Sequence, residues 1–221
     1  MSNKDAVLGS IRAALADVPR DELPEGVAVA RDYARQDDLS AEARLHLFEE
    51  RVTDYKVTVR RVSEDEIVHQ VALLCGARGA ERLAIPADLP RAWLPEGLKF
   101  LPDNTFSYEA LDGRDGVITG CALAIAQTGT IALDGGPRQG PRVLTLLPDY
   151  HLCVVFEHQI VGLVPEALEK LRPSVQAGKP ITFISGPSAT SDIELHRVEG
   201  VHGPRTLDVL LVTSAPTKEV S

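Results

Sequence analysis

The densest set of reactive groups in the chain is the string Ile184-Ser185-Gly186-Pro187-Ser188-Ala189-Thr190-Ser191-Asp192-Ile193-Glu194. It follows Ile181-Thr182-Phe183-Ile184, a run that reads as a buried strand, and small-residue loops of this kind are expected at the carboxyl end of a sheet. Gly186 lets the backbone approach a ligand, while Ser185, Ser188, Thr190 and Ser191 offer hydroxyls and amides suited to a carboxylate or a phosphate. Asp192 and Glu194 stand two residues apart. In an extended segment they share a face, and if sheltered from water they raise one another's pKa toward general-acid or general-base range. The other reading is a Ser/Thr-rich turn that caps the next element.

A second small-residue loop is Gln127-Thr128-Gly129-Thr130. Gly129 permits a positive φ, and the two threonines either bind a substrate oxygen or close a hairpin. Next comes Asp134-Gly135-Gly136-Pro137-Arg138-Gln139-Gly140-Pro141-Arg142, which has neither GxxxxGK[ST] nor GxGxxG order, so no motif supports ATP or NAD. Arg138 and Arg142 either clamp an anion or decorate a solvated turn. His202-Gly203-Pro204-Arg205 sits just before the last apolar run, where a histidine can hydrogen-bond or move protons near neutral pH. His151 and Cys153 alternate onto one strand face, half core and half rim, and are too few for a metal site. Glu157-His158 ends that strand without a functional pattern. The three cysteines, Cys75, Cys121 and Cys153, form no CxxC, and their spacing offers neither a disulfide framework nor a zinc or iron–sulfur ligand set.

These loops need elements to hold them. Lys4 to Asp17 places Val7, Ile11, Ala14 and Leu15 on one helical face, and the Pro- and Gly-containing stretch 19–35 reads as a linker. The expected organisation is therefore an N-terminal helical arm and linker over 1–38 and an α/β domain over 39–221. Ser40 is placed to cap a helix running through Phe48 and Val52, and Ser63-Glu64-Asp65-Glu66 is a capping box that opens another. Val57 to Val62, Leu83 to Ile85, Leu152 to Phe156 and Leu207 to Val212 read as strands. The runs from Leu152, then Val164 to Leu171, then Ile181 to Ile184 repeat a strand–helix–strand grammar. Val117-Ile118, Ala124 to Ala126 and Thr130 to Leu133 read as strands joined by turns too short for parallel crossovers. The sum is a mixed, mainly parallel sheet flanked by helices.

Composition excludes other classes. The 221 residues are 44% apolar and 25% charged, an ordinary globular balance. Acidic side chains exceed basic ones, 32 to 23, giving a net charge of −9 that disfavours nucleic acid and anionic lipid as partners. Neither a membrane-spanning apolar run nor an apolar leader block is present, so membrane insertion is not expected and a cytoplasmic location is.

Taken in order, Gln127 to Thr130, Leu146-Leu147-Pro148, Cys153 to Val155, Thr182 to Glu194 and Val201 to Pro204 resemble the LUD domain of the lactate utilisation proteins. The resemblance covers about residues 40 to 213 and is strongest from Gly116 onward. It implies a bacterial cytoplasmic protein that takes part in oxidising L-lactate to pyruvate, allowing lactate use as a carbon source, with partner proteins of which at least one carries iron–sulfur clusters. It also implies a fold similar to the sugar-phosphate isomerase and CoA-transferase superfamily (NagB/RpiA/CoA-transferase-like). Carried over residue by residue, it marks Thr128, Gly129, Thr130, Ser185, Gly186, Ser188, Thr190, Asp192, Glu194 and His202 as candidates. Asp192, Glu194 and His202 are then the expected proton-moving groups, and the loop residues with Arg138 and Arg142 the expected anion-binding ones.

Removing two electrons from lactate needs an acceptor that the side chains here do not supply, so the chain is expected to bind no redox cofactor and to act as a subunit or accessory protein. Two other readings stay open. One is a stand-alone isomerase, ligase or acyl transferase acting on a phosphorylated or CoA-linked acid, for which a basic cluster of Arg138, Arg142 and Arg205 would argue. The other is a non-catalytic assembly module.

Overall fold

A computed structural model describes residues 3–17, 30, 32–104, 107–190, 198–199 and 203–213. The chain divides into two compact units, Met1–Tyr33 and Ala34–Ser221. The first contains helix α1 (Asn3–Ala14), with Asp5 in its first turn and Arg12 in its last, each complementing the helix dipole.

The second unit opens with α2 (Ala41–Thr53), where the Ser40 hydroxyl accepts from the Ala43 amide as its spacing predicts. Its inner face carries Leu45, Phe48 and Val52, all buried. Strand β1 (Thr58–Val62) follows. The Glu66 carboxylate then accepts from both the amide and the hydroxyl of Ser63, closing the capping box ahead of α3 (Ile67–Arg78). Helix α3 ends at Gly79 in the left-handed region, φ +64°. The chain continues through β2 (Arg82–Ile85), β3 (Lys99–Pro102), α4 (Tyr108–Asp112) and β4 (Gly116–Thr119). After it come β5 (Leu123–Ile125), β6 (Thr130–Leu133), β7 (Tyr150–Phe156), β8 (Ile160–Val161), α5 (Val164–Gln176) and β9 (Thr182–Ile184). Short strands β10 (Ala189–Thr190) and β11 (Val198–Glu199) pair with each other, and β12 (Thr206–Val212) is the last strand among the described residues.

Six strands, ordered β1-β12-β7-β4-β2-β3, form a parallel sheet. A second sheet, β8-β5-β6-β9, is mixed: β5, β6 and β9 pair antiparallel in turn, while β8 joins β5 parallel. The fold is thus α/β with a parallel sheet flanked by helices, and the short turns around Gly129 do join antiparallel neighbours. Alternation along β7 explains the layering. Leu152 and Val154 face a cluster with Ile67, Val71 and Leu74 of α3 and with Trp93, whereas Cys153 and Val155 face Phe48 and Val52 of α2 and Ile131 and Leu133 of the second sheet. Ala167 and Leu171 of α5 cover the far side of that second sheet.

One expectation is corrected here. The strand–helix–strand unit in the second half runs β8-α5-β9, not β7-α5-β9, and lies wholly in the smaller sheet. A turn at Glu157–Gln159 ends β7 and redirects the chain before α5 begins, which an apolar-run reading passes over.

Charged groups that enter the core are paired. Asp208, fully buried on β12, accepts from Arg78 Nη2 and Nε at 2.7 and 3.2 Å and from the Tyr150 hydroxyl at 3.0 Å. Burial, reinforced by Asp208, pushes the Cys75 thiol up to about 12 and also raises the Tyr150 phenol. At the surface, Arg82 holds the Asp115 carboxyl below its ordinary value. Burial raises Asp134, but hydrogen bonds from Ser174, Gln139 and the Gly136 amide outweigh it and leave that carboxyl lowered. A folded-state value below the unfolded one means stability present above about pH 4 and lost as pH falls through the folded value. Asp134→Asn is therefore expected to flatten the acid limb of an unfolding-versus-pH curve below about pH 4, and urea titrations at pH 3 to 6 check it. An unchanged acid limb would remove Asp134 from this account.

Candidate functional site

Four of the candidate residues, Arg142, Ser185, Gly186 and Ser188, line one cleft of about 450 Å³. Its floor comes from the amino-terminal edge of the parallel sheet, with His151 second in β7, Leu207 second in β12, and Gly203 and Pro204 just before β12. Its wall comes from β9 and the turn after it, Thr182 to Ser188. Tyr55, Arg142 and Thr145 complete the lining. The Ser185 turn thus follows the carboxyl end of a strand as expected, but that strand belongs to the smaller sheet and faces the amino-terminal edge of the larger one. The expectation that this loop lies at the carboxyl end of the main sheet is corrected accordingly.

Two glycine turns anchor on the same stretch. Gly129, at φ +59°, lies so close to the end of α2 that an added Cβ would stand 2.7 Å from the Arg51 carbonyl carbon and the Val52 nitrogen. Gly186, at φ +137°, would bring a Cβ to 2.6 Å from the Tyr55 Cβ. A hydroxyl chain joins the two turns, running from Thr128 Oγ1 to Thr130 Oγ1 at 2.7 Å and on to Ser185 Oγ at 2.8 Å. Ser185, Gly186 and Ser188 line the cleft, and the Ser188 amide donates to the Pro204 carbonyl at 2.8 Å, tying the wall to the floor. Thr128, Gly129 and Thr130 stand behind Ser185 and orient it.

Arg142 opens the 3₁₀ turn Arg142–Thr145 and reaches Thr145 Oγ1 at 3.2 Å. Burial lowers its pKa, and among the described residues no carboxylate pairs with it. A partly desolvated guanidinium beside hydroxyls and open space is suited to an incoming anion.

His151 was not singled out by its sequence pattern beyond a half-core, half-rim placement. It is fully buried, its Nε2 lies 2.8 Å from Thr119 Oγ1, and its Nδ1 is the buried side-chain nitrogen or oxygen without a partner among the described residues. An orphaned buried polar atom on a residue that lines a cleft is an unusual feature of a folded chain. The sequence signal was faint: a histidine opening an otherwise apolar buried strand needs partners, and the partner, Thr119, comes from a strand more than thirty residues earlier. The Cys121 thiol donates to Gln159 Oε1 at 3.6 Å, and its closeness to Cys153, with His151 and Thr119 beside it, lowers the Cys153 pKa and raises that of Cys121. Cys153 also lies against the Gly120 carbonyl at 3.7 Å.

The two arginines part company. The Arg138 guanidinium carbon lies 5.8 Å from the Trp93 ring centroid and 5.7 Å from that of Phe156, and Arg138 lines a different cavity, with Cys121 and His158. A two-arginine clamp does not form, because Arg138 takes a left-handed backbone, φ +63°, and turns away from Arg142. Thr190 is described as a backbone member of β10, opposite Val198. Asp192, Glu194 and His202 lie outside the described residues.

A larger cavity, about 810 Å³, opens at the carboxyl edge of the main sheet near Ser63, Phe156 and Thr213. Glu64, Asp65 and Glu157 face it, and its Arg44 is already paired with Asp37 at 2.8 Å. Its three carboxylates outnumber Arg44 and Lys170, and none of its described buried polar side-chain atoms lacks a partner. The cleft at Ser185 is the better candidate.

Fold and site together define an α/β protein with a cleft at the seam between a parallel sheet and a smaller mixed one. The family model of the LUD domain matches residues 45–212, and the chain belongs to that family. It is 49% identical over 175 residues to lactate utilization protein C of Deinococcus radiodurans, covering 79% of this chain and 82% of that one. It is 28% identical to lactate utilization protein C of Geobacillus thermodenitrificans over 96% of this chain and 97% of the relative. The crystal structure of a DUF162 family protein from Deinococcus radiodurans is similar in fold, with a TM-score of 0.69 and 43% identity over 79% of this chain and 99% of that one. Among the described residues, no helix is long and apolar enough to cross a membrane, and no cluster of three or more His, Cys, Asp or Glu is placed to hold a metal ion.

Proposed function

We propose that this chain is a cytoplasmic component of a system that oxidises L-lactate to pyruvate, and that its cleft holds a small molecule through a carboxylate. The names of its relatives support the pathway. The single observation that supports the cleft is Arg142, partly desolvated, unpaired with any described carboxylate and lining the same space as Ser185, Ser188 and His151.

In this reading the guanidinium takes the carboxylate, the hydroxyls of Ser185 and Ser188 satisfy its remaining lone pairs, and the Thr128–Thr130 relay holds Ser185 in place. Asp192, Glu194 and His202 remain the candidates for moving the hydroxyl proton. The C2–H bond breaks as well, its proton passing to a second of these groups and the two electrons to iron–sulfur partner proteins. We also assign the fold to the sugar-phosphate isomerase and CoA-transferase superfamily, on the strength of its parallel sheet with a seam cleft. A stand-alone enzyme for phosphorylated acids gains less support, since Arg205 pairs with Asp149, Arg138 points elsewhere, and only Arg142 of the three arginines lines the cleft.

Hydrogen bonds to a charged group contribute about 1.5–3 kcal/mol, so Arg142→Gln is expected to weaken carboxylate binding roughly 10- to 100-fold. In a host deleted for this chain, the variant should fail to restore growth on L-lactate while growth on pyruvate is normal. Purification from the native host should bring down an iron-containing partner with wild type. Wild-type growth of the Arg142→Gln strain on lactate, or lactate oxidation by the purified chain alone with a dye acceptor and no added cofactor, would contradict the proposal.

A further inference from the structure

The edge of the main sheet opposite the cleft carries a second concave surface, organised around Arg138. Its guanidinium carbon stands 5.8 Å from the Trp93 ring centroid and 5.7 Å from that of Phe156, the residue that ends β7. Its Nε lies beside Gly120, the residue after β4, where an added Cβ would stand 3.8 Å away. Strands β7 and β4 are parallel neighbours in the middle of the sheet, so the guanidinium sits where two central strands end. That is the edge at which open α/β sheets hold ligands.

The backbone holds this arginine in an unfavourable conformation. Arg138 takes φ +63°, a left-handed geometry that a Cβ disfavours, and bonds on both sides fix it there. Its amide donates to Asp88 Oδ2 at 2.8 Å, and its carbonyl accepts from the Gly120 amide at 2.7 Å. The two rings attract the cation through their faces and leave its N–H donors, which lie in the guanidinium plane, to other partners. Among the described residues, no carboxylate is within ion-pair reach of it.

Arg138 lines a cavity of about 380 Å³ together with His158 and Lys170, neither of which is ion-paired among the described residues. The single described carboxylate in the lining is Asp134, which already accepts from the Ser174 hydroxyl, the Gln139 side chain and the Gly136 amide. Cationic side chains therefore outnumber carboxylates here, the reverse of the cavity near Ser63, with which this one shares His158 and Lys170. The chain as a whole carries a net charge of −9 and repels anions, so one that settles here has to be held by these groups.

We infer that this second cavity binds a phosphate group, with the Arg138 fork on two of its oxygens, Lys170 on a third and His158 beside them as a hydrogen-bond donor. Two cations and a further donor match a tetrahedral dianion better than a planar carboxylate, which has one charge and two oxygens. The inference stands apart from the carboxylate reading of the cleft, whose arginine lies at the other edge of the sheet. The phosphate is either the free ion or the head of a phosphomonoester.

Calorimetric titration of the full chain with inorganic phosphate, in chloride buffer of fixed ionic strength, tests this. Wild type should bind one phosphate per chain. Arg138→Gln should weaken binding roughly 10- to 100-fold. Arg138→Lys, which keeps the charge and loses the fork, should weaken it less, and Arg142→Gln should leave it unchanged. If Arg138→Gln does not fold, as judged by its thermal midpoint, Lys170→Gln carries the test, since Lys170 is exposed on α5. Its expected loss is roughly two- to fivefold. Glycerol 3-phosphate as a second titrant separates the sources: an ester that binds more tightly than phosphate identifies the head of a larger ligand, and one that does not identifies the free ion. Absence of binding by both titrants would overturn the inference. So would an affinity that survives Arg138→Gln or Lys170→Gln, or one lost in Arg142→Gln, which would put the anion in the cleft.

Discussion

Arg78→Ala is expected to lower the free energy of unfolding by roughly 2–3 kcal/mol. Asp208 sits fully buried in the second strand of the main sheet, and Arg78 supplies two of its three hydrogen bonds. Removing one partner of a buried pair leaves an uncompensated charge, at a cost of about 3–5 kcal/mol when both groups are sealed. Here the Arg78 side chain is 40% exposed, so water replaces part of what it gave and the cost falls toward the lower figure. Asp208→Asn in the Arg78→Ala background should recover part of the loss, since a neutral amide still accepts from Tyr150 and costs less to bury. Equilibrium urea unfolding of the two variants checks this, and a double variant no more stable than Arg78→Ala would show that the buried charge is not the cause.

The second large effect lies behind the cleft. Gly129→Ala combines a left-handed backbone that a Cβ disfavours by roughly 1–2 kcal/mol with a clash against the backbone of α2, where overpacking adds about 1–3 kcal/mol. The obstacle is main chain at 2.7 Å, not a side chain that can swing aside. The turn must move, and it takes the Thr130–Ser185 bond with it. We expect roughly 2–4 kcal/mol of lost stability and, under conditions where the variant remains folded, weakened binding at the cleft although residue 129 does not line it. Thr130→Val separates the two effects: it keeps the backbone, breaks the hydroxyl relay, and should lower binding with a smaller change in stability. Full binding by a folded Gly129→Ala protein would show that the two turns are not coupled.

The parts of this fold legible in the sequence are those set by near neighbours. Ser40 and the Ser63–Glu66 box announce helices because capping is decided within four residues, and the strands from Tyr150 and Thr206 announce themselves because both faces are buried and the run is continuously apolar. The antiparallel turn at Gly129 was legible for the same local reason. What could not be read is which strands meet. Nothing near Ile184 says that β9 pairs with β6 in a smaller sheet, and that pairing alone moves the Ser185 turn from one edge of the main sheet to the other. The functional weight of His151 depends on Thr119, brought beside it by the β4–β7 register, and the separation of Arg142 from Arg138 depends on a left-handed residue that is not glycine. Ser185, Ser188 and Arg142 could be singled out because their types suit an anion. Tyr55 and Thr145 were missed because they reach the cleft from elements that carry no motif.

The central claim is that Arg142, His151 and the Ser185–Ser188 turn make one site for a carboxylate at the amino-terminal edge of the main sheet. The most direct measurement is a crystal structure of the chain soaked with L-lactate. The expected result is the carboxylate on Arg142, beside the Ser185–Ser188 turn. A carboxylate bound instead in the cavity at the carboxyl edge, among Ser63, Glu157 and His158, would contradict it.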